Sequence, residues 1–141
     1  MGEVSPNEVA LRRYFETINV EDWEAFRPLW SPAATLKAVG GRPRSGIDDI
    51  LDFYRGLFVA WKIHLDTPTR TLWSGDTATV EVRFDGTTLD GRMVSFEAVD
   101  VVDFTAGRIN RLTNWYDIAH VRKVLAPTLP ATPPTSETSN L

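Results

Sequence analysis

At Trp61 the spacing of apolar side chains changes from the three-to-four of a helix to the two of a strand, so the chain must combine an N-terminal helical part with a C-terminal β part. Before that point, Val9, Leu11, Tyr14, Phe15 and Ile18 follow a helical stripe. Ser5-Pro6-Asn7-Glu8 opens it: Ser5 caps, Pro6 suits the first helical position, and Glu8 completes a capping box. A second helix is expected from Val20 through Trp23 and Phe26 to Trp30, stopped by Ser31-Pro32. A strand over Ala34 to Val39 and a turn at Gly40-Gly41-Arg42-Pro43 follow. A third helix begins at Ser45 or Gly46 and carries Ile47, Ile50, Leu51, Tyr54 and Leu57. After Trp61, strands are expected over 62–73, 77–87, 93–104 and 108–117, then a brief helix over 118–124. Ser74-Gly75-Asp76, Asp90-Gly91 and Ala106-Gly107 mark the turns. Three helices on one face of a curved antiparallel sheet make an α+β arrangement.

The 141 residues suit one domain, expected over 1–125, with 126–141 a Pro/Thr/Ser-rich tail expected to be disordered. The net charge is −4 and no basic run exceeds Arg12-Arg13, which argues against nucleic acid as a partner. The absence of cysteine removes disulfides, thiol nucleophiles and thiolate-bound metals, and is compatible with the cytoplasm. Residues 1–7 lack the blocks of a signal peptide, and no apolar stretch approaches membrane-spanning length. A cytoplasmic protein without a membrane partner is expected. No His–His–carboxylate spacing, no Gly-rich phosphate loop after a strand and no Gly-x-Ser-x-Gly elbow occurs, so neither a metal nor another cofactor is expected.

Asp100 is the residue that points to chemistry. Phe96, Ala98, Asp100, Val102 and Phe104 share one face of their strand, an apolar wall holding a single carboxyl group. Buried without a partner, such a group is costly and its pKa rises, which suits acid–base work. Its neighbours depend on register. If Asp90-Gly91 forms a two-residue turn, Glu81 lies opposite Asp100 and Arg83 opposite Ala98, giving a carboxylate–guanidinium–carboxylate group inside. If Leu89-Asp90-Gly91 forms a three-residue loop, Val80, Val82 and Phe84 turn inward and Glu81 and Arg83 face out. Both registers stay open. A three-residue loop at Thr105-Ala106-Gly107 would set Asp100 opposite Leu112 and Ala98 opposite Asn114, with Tyr116 further along. Tyr14, on the first helix, can donate to Asp100 or stand beside it. By parity with Ile63 and Leu65, His64 should point away from this face, and Lys37 should point away from Leu36 and Ala38.

Three segments resemble the ketosteroid-isomerase-like superfamily, also called nuclear transport factor 2-like or SnoaL-like. They are Arg13-Tyr14-Phe15 with Asp22-Trp23-Glu24-Ala25-Phe26; Gly46-Ile47-Asp48-Asp49-Ile50-Leu51-Asp52-Phe53-Tyr54-Arg55; and Ala98 to Phe104 with Gly107-Arg108-Ile109 and Trp115-Tyr116-Asp117. The resemblance spans about residues 6 to 124. It implies a cone-shaped α+β barrel enclosing an apolar pocket, with a mixed or antiparallel sheet, and a homodimer. It places Tyr14 and Asp100 on the isomerase's oxyanion hole, with Trp30 and Tyr54 as supporting aromatics and Tyr54 bonded to Tyr14. The isomerase's general base falls on Ala38, which excludes the usual steroid route. In the epoxide-hydrolase relatives, the Tyr and Asn that hold water fall on Leu36 and Ala38, and one aspartate falls on Asn114. The run His64 to Arg70 and the ending Trp115-Tyr116-Asp117 look like the polyketide-cyclase branch, making Asp117 a secondary acid–base candidate, or else a cap for the terminal helix.

The expected function is cofactor-free acid–base catalysis on an apolar, oxygenated small molecule, as in a cyclase or isomerase of polyketide biosynthesis. Asp100 would be the acid or oxyanion donor beside Tyr14, Glu81 the base, and Arg83 the group that biases the proton between them. Asn114, Tyr116, Trp30, Tyr54, Trp61, Leu36, Ala38, Ala98 and Leu112 would shape the substrate site. The alternatives are an epoxide hydrolase and a non-catalytic ligand-binding or dimerisation module.

Overall fold

The computed structural model describes residues 2–126; all of the expected tail but Ala126 lies outside them. Helix α1 (Pro6–Val20) starts with the capping box read from the sequence: Ser5 Oγ accepts from Glu8 N–H at 3.1 Å, and Glu8 accepts from Ser5 N–H at 3.1 Å. Its buried stripe is Ala10, Leu11, Tyr14, Phe15, Thr17 and Ile18, whereas Val9 is exposed. Glu21, in the left-handed region at φ 57°, ends the helix. Asp22 then caps a one-turn helix α2 (Trp23–Phe26), followed by a 3₁₀ turn over Arg27–Leu29. The expected second helix is thus shorter, because Pro28 tightens the turn and strand β1 (Trp30–Ala38) already begins at Trp30. A two-residue strand β2 (Arg44–Ser45) precedes α3 (Ile47–Phe58).

Strands β3 (Trp61–Ser74), β4 (Thr77–Thr88), β5 (Met93–Thr105) and β6 (Arg108–Tyr116) form the expected antiparallel meander. Strand β1 joins it in parallel beside β6, giving one mixed, open sheet in the order β2-β1-β6-β5-β4-β3. Helix α4 (Ile118–Leu125) ends the described chain. The helices cover the inward face, where Ala34 and Leu36 of β1, Val80 and Phe84 of β4, Val102 and Phe104 of β5 and Leu112 of β6 are buried. This is the α+β architecture expected from the change of period.

Two registers differ from one another in how they depart from expectation. Between β4 and β5, Val80 pairs with Asp100, Val82 with Ala98 and Glu81 with Val99. The loop is Leu89-Asp90-Gly91, with Gly91 at φ 90° and Thr88 N–H bonded to Arg92 O at 2.8 Å. The polar register is therefore wrong and the apolar one correct: burying three apolar side chains outweighs burying Glu81 and Arg83. Between β5 and β6 the turn is Ala106-Gly107, both left-handed at φ 52° and 78°, and an irregularity follows at Asp103/Phe104. Asp100 consequently pairs with Asn114 and Ala98 with Tyr116, a displacement of two residues from the expected partners Leu112 and Asn114. A shift of two keeps every side chain on its face.

Candidate functional site

The inward faces of the sheet and helices α1, α3 and α4 enclose a cavity of about 250 Å³. Its wall is mainly apolar, built by Leu36, Ala38, Phe53, Phe58, Trp61, Phe84, Phe96, Ala98 and Leu112 among others. Its ionisable groups are Asp66, Asp100, Tyr14, Tyr54, Tyr116 and Arg122, and Asn114 is the amide beside them.

Asp100 is 5% exposed and its Oδ1 accepts a 2.7 Å hydrogen bond from Asn114 Nδ2. Burial raises its pKa to about 6, and the Asn114 bond pulls in the opposite direction by favouring the ionised form. Asp66 rises further, to about 7, first through burial and then through repulsion from Asp100. Among the described residues, neither carboxylate has an ion-pair partner. Two carboxyl groups thus share one apolar cavity with pKa values near neutrality, an arrangement that lets one hold a proton while the other is ionised.

Tyr14 and Tyr54 form the second polar cluster, their hydroxyls 2.6 Å apart. This is the bond implied by the family resemblance. Burial raises both phenols well above their ordinary pKa, so they remain protonated donors. Tyr14 bonds to Tyr54 rather than to Asp100, and Asp100 turns to Asn114. Trp30 is fully buried behind the pair, with its ring 6.2 Å from Tyr14 and 6.3 Å from Tyr54; it supports the cavity without lining it. Tyr116 packs against Phe96, ring centres 5.2 Å apart and tilted.

Three expected catalytic residues lie elsewhere. Glu81 and Arg83 are on the outer face of β4, where Glu81 is 3.8 Å from Arg70 and Arg83 is 3.1 Å from Asp85. Asp117 is the exposed cap of α4, its side chain accepting from His120 N–H at 3.0 Å. Lys37 points outward, as expected, and sits 5.7 Å from the Trp115 ring.

The residue that sequence reasoning missed is Asp66. An irregularity between Trp61 and Ile63 inverts the alternation, so Trp61 faces in while Ile63 and Leu65 are exposed on the outer face. His64 and Asp66 therefore turn inward, contrary to the parity reading. His64 stacks on Phe58 at 3.8 Å and its Nε2 lies 2.9 Å from Glu21 Oε2, so it stands behind the cavity wall. Asn19 holds Asp66 from the α1 side: its Nδ2 donates to Asp66 O at 2.9 Å, and its Oδ1 accepts from Asp66 N–H at 2.8 Å.

Among the described residues, no group of three or more His, Asp or Glu side chains is placed to hold a metal ion. No described helix is long and apolar enough to cross a membrane.

Comparison with known proteins agrees with this architecture. The family model for the SnoaL-like domain matches residues 11–112. No curated protein matches the sequence. Among solved structures, an NTF2-like protein of unknown function from Burkholderia pseudomallei superposes with a TM-score of 0.81 at 19% identity, covering 87% of this chain and 99% of its own. A protein assigned as a SnoaL-like polyketide cyclase from Jannaschia sp. CCS1 gives 0.80 at 17% identity, covering 91% and 98%. An LEH-like epoxide hydrolase of M. tuberculosis gives 0.74 at 16% identity, covering 88% and 92%. At these identities the likeness establishes the fold, a cone-shaped NTF2-like α+β architecture, and leaves the chemistry to the residues.

Proposed function

Because this chain belongs to the SnoaL-like domain family, we propose that its cavity is the active site of a cofactor-free enzyme that moves protons on an apolar, oxygenated small molecule. The observation that carries this reading is the pair Asp66 and Asp100 in one apolar cavity, raised to about 7 and about 6.

The Asn114 bond favours the ionised form of Asp100, so Asp100 is the base and Asp66 the acid. Asp66 takes the place in the mechanism that Glu81 held in the sequence reading, with the acid and base roles exchanged. Asp100 removes a proton from a carbon beside a carbonyl group. The electron pair moves onto the carbonyl oxygen, where Asp66 or the Tyr14–Tyr54 hydroxyl pair donates a hydrogen bond. The resulting carbanion equivalent attacks a second carbonyl in the same molecule, forming a carbon–carbon bond. The new alkoxide takes the proton from Asp66. The substrate is converted to a ring isomer with no water, oxidant or cofactor consumed, and the proton left on Asp100 returns to Asp66 through solvent, restoring the starting pair. A polycarbonyl substrate of the polyketide type fits this sequence, and the fold neighbour from Jannaschia sp. CCS1 assigned as a polyketide cyclase supports the choice.

The decisive experiment follows hydrogen–deuterium exchange at the acidic carbon of 2-tetralone in D₂O by NMR. The wild type should accelerate exchange by roughly 10² to 10⁴ over buffer. Asp100→Asn should bind the ketone and lose the acceleration. A wild type that binds without exchanging the carbon would favour a ligand-binding module instead.

A second reading rests on the Asp100–Asn114 bond, which sets a carboxylate and an amide side by side as a place to hold water. Opening of an epoxide there would carry solvent oxygen into the product, whereas cyclisation would not. We also propose that the protein is a homodimer. Ile63, Leu65, Leu72 and Trp115 expose apolar surface on the outer face of the sheet, and light scattering on the eluting protein measures its mass.

A further inference from the structure

The charges that line the cavity are unevenly placed. Among the described residues, Asp66 and Asp100 are the two carboxylates and Arg122 of α4 the one lysine or arginine in the wall. Asp100 and Asn114 form one inward-facing pair of the β5–β6 ladder, and Ala98 and Tyr116 form the next. Two residues along a strand advance about 7 Å, so Tyr116 stands that far from Asn114, on the side where the chain enters α4. The Arg122 charge opposes the rise that burial gives the Tyr116 phenol, which puts it at the Tyr116 end.

The guanidinium also lies beside Gly40. Gly40, at φ 75°, lines the cavity beneath α4. A methyl on its Cα would collide with Ile118 Cδ1 and lie 3.1 Å from Arg122 Nη2. The far end of α4 is tied down by Arg92 Nη1 donating to Val124 O at 2.5 Å. Arg122 is exposed, and no carboxylate of the described residues lies within ion-pair distance of it.

We infer that Arg122 is the anion handle of the cavity, and that its ligand is a flat body of about two fused rings carrying a carboxylate or an enolised 1,3-dicarbonyl at one end. The anion stays at the mouth on Arg122, which presents planar paired donors. The apolar body fills the cavity, and the carbon to be deprotonated reaches Asp100 roughly 7–10 Å away. The opposite orientation would set an anion against two carboxyl groups. This inference rests on the acid–base reading for which end reacts, but the binding preference itself does not.

The test compares 2-naphthoate with 2-naphthamide, matched in size and differing in charge, by isothermal titration at about pH 6, where the naphthoate is ionised. The wild type should bind naphthoate roughly ten-fold more tightly. Arg122→Gln should remove that preference while leaving naphthamide binding within about two-fold, and Arg122→Lys should restore part of it. Equal affinity of the wild type for both probes, a preference that survives Arg122→Gln, or no binding of either probe would overturn the assignment. If the preference holds but 2-tetralone exchange is absent, the acid–base reading fails and the anion handle stands.

Discussion

Asn19 closes on the backbone of Asp66 with both ends of its amide, accepting from the N–H at 2.8 Å and donating to the carbonyl at 2.9 Å. Among the described residues β3 is the outermost strand at its end of the sheet, so these bonds occupy the edge that no further described strand covers. The last turn of α1 thereby fixes where one of the two cavity carboxyls sits. Asn19→Ala should cost about 1–2 kcal/mol of stability by urea unfolding. It should also lower 2-tetralone exchange by roughly ten-fold through misplacement of Asp66. A positioning role predicts a shift of the pH–rate limb that belongs to Asp66. A merely structural role would lower stability and leave that limb in place.

Stability should fall as pH rises from about 4 to 7. In the unfolded chain both carboxyls titrate near the ordinary value of about 4. In the folded chain Asp100 titrates at about 6 and Asp66 at about 7, so the native state holds more protons in between. Their contribution is full below the unfolded pKa and is lost as pH passes through the folded values. The lowered carboxyls Asp49, Asp85 and Asp90 titrate below this window. Urea unfolding should give a free energy lower at about pH 8 than at about pH 5 by on the order of 4 kcal/mol, the larger share from Asp66, and Asp66→Asn should remove most of the difference. A wild type equally stable at both pH values contradicts the buried pair. Exchange rates should peak between the two carboxyl values, when one proton is shared by the pair.

The tyrosine pair separates fold from chemistry. Tyr54→Phe leaves the Tyr14 hydroxyl buried without its 2.6 Å partner. That should cost about 1–3 kcal/mol. Tyr14→Phe should cost a similar amount, and the double variant less than the sum of the two, because the second change removes an already orphaned group. If the hydroxyl pair stabilises a developing oxyanion, each single variant should also lower turnover by roughly ten-fold or more without weakening ketone binding. Additive stability losses would show that the two hydroxyls do not interact.

Gly86 governs the width of the cavity. A Cβ there would lie 2.7 Å from Phe84 Cε2 and 2.7 Å from Trp61 Cε3, two rings that line the wall. Those rings already pack edge to face at 4.7 Å, so they must move into the cavity or apart. Gly86→Ala should destabilise by about 1–3 kcal/mol. It should also weaken 2-naphthamide more than a single-ring benzamide in the same titration. Equal losses for the two amides would mean that the rings relax away from the cavity.

The legible parts of this protein are those dictated by local chemistry. Ser5 and Glu8 announced the start of α1, and the alternation from Phe96 to Phe104 announced a strand with Asp100 facing the core. The site was less legible because it depends on irregularities that break alternation. Asp90-Gly91 suits either of two loops of opposite parity, and only the burial of Val80, Val82 and Phe84 decides between them. At Ala106-Gly107 the observed pairing lies two residues from the expected one, so the inward face is kept and Asp100 meets Asn114 rather than Leu112. Asp66 was hidden by the irregularity after Trp61, beyond which polar residues turn inward and Ile63 and Leu65 turn outward. His64 and Asp66 alternate with those apolar residues as a solvent face would, and the one visible signal was a carboxylate two residues from a histidine on a predicted strand.

The three-residue loop Leu89-Asp90-Gly91 acts at a distance. Changing the pairing of β4 with β5 by one residue turns β4 inside out: Glu81 and Arg83 would replace Val80 and Val82 in the core. Changing it by two would leave the same face inward and alter only which neighbours meet. Insertions and deletions near this loop are therefore graded by evenness more than by size. An odd step in register exchanges a row of buried valines for charged side chains, so a change in the loop alone rewrites the inward face of the sheet without substituting a single residue on it.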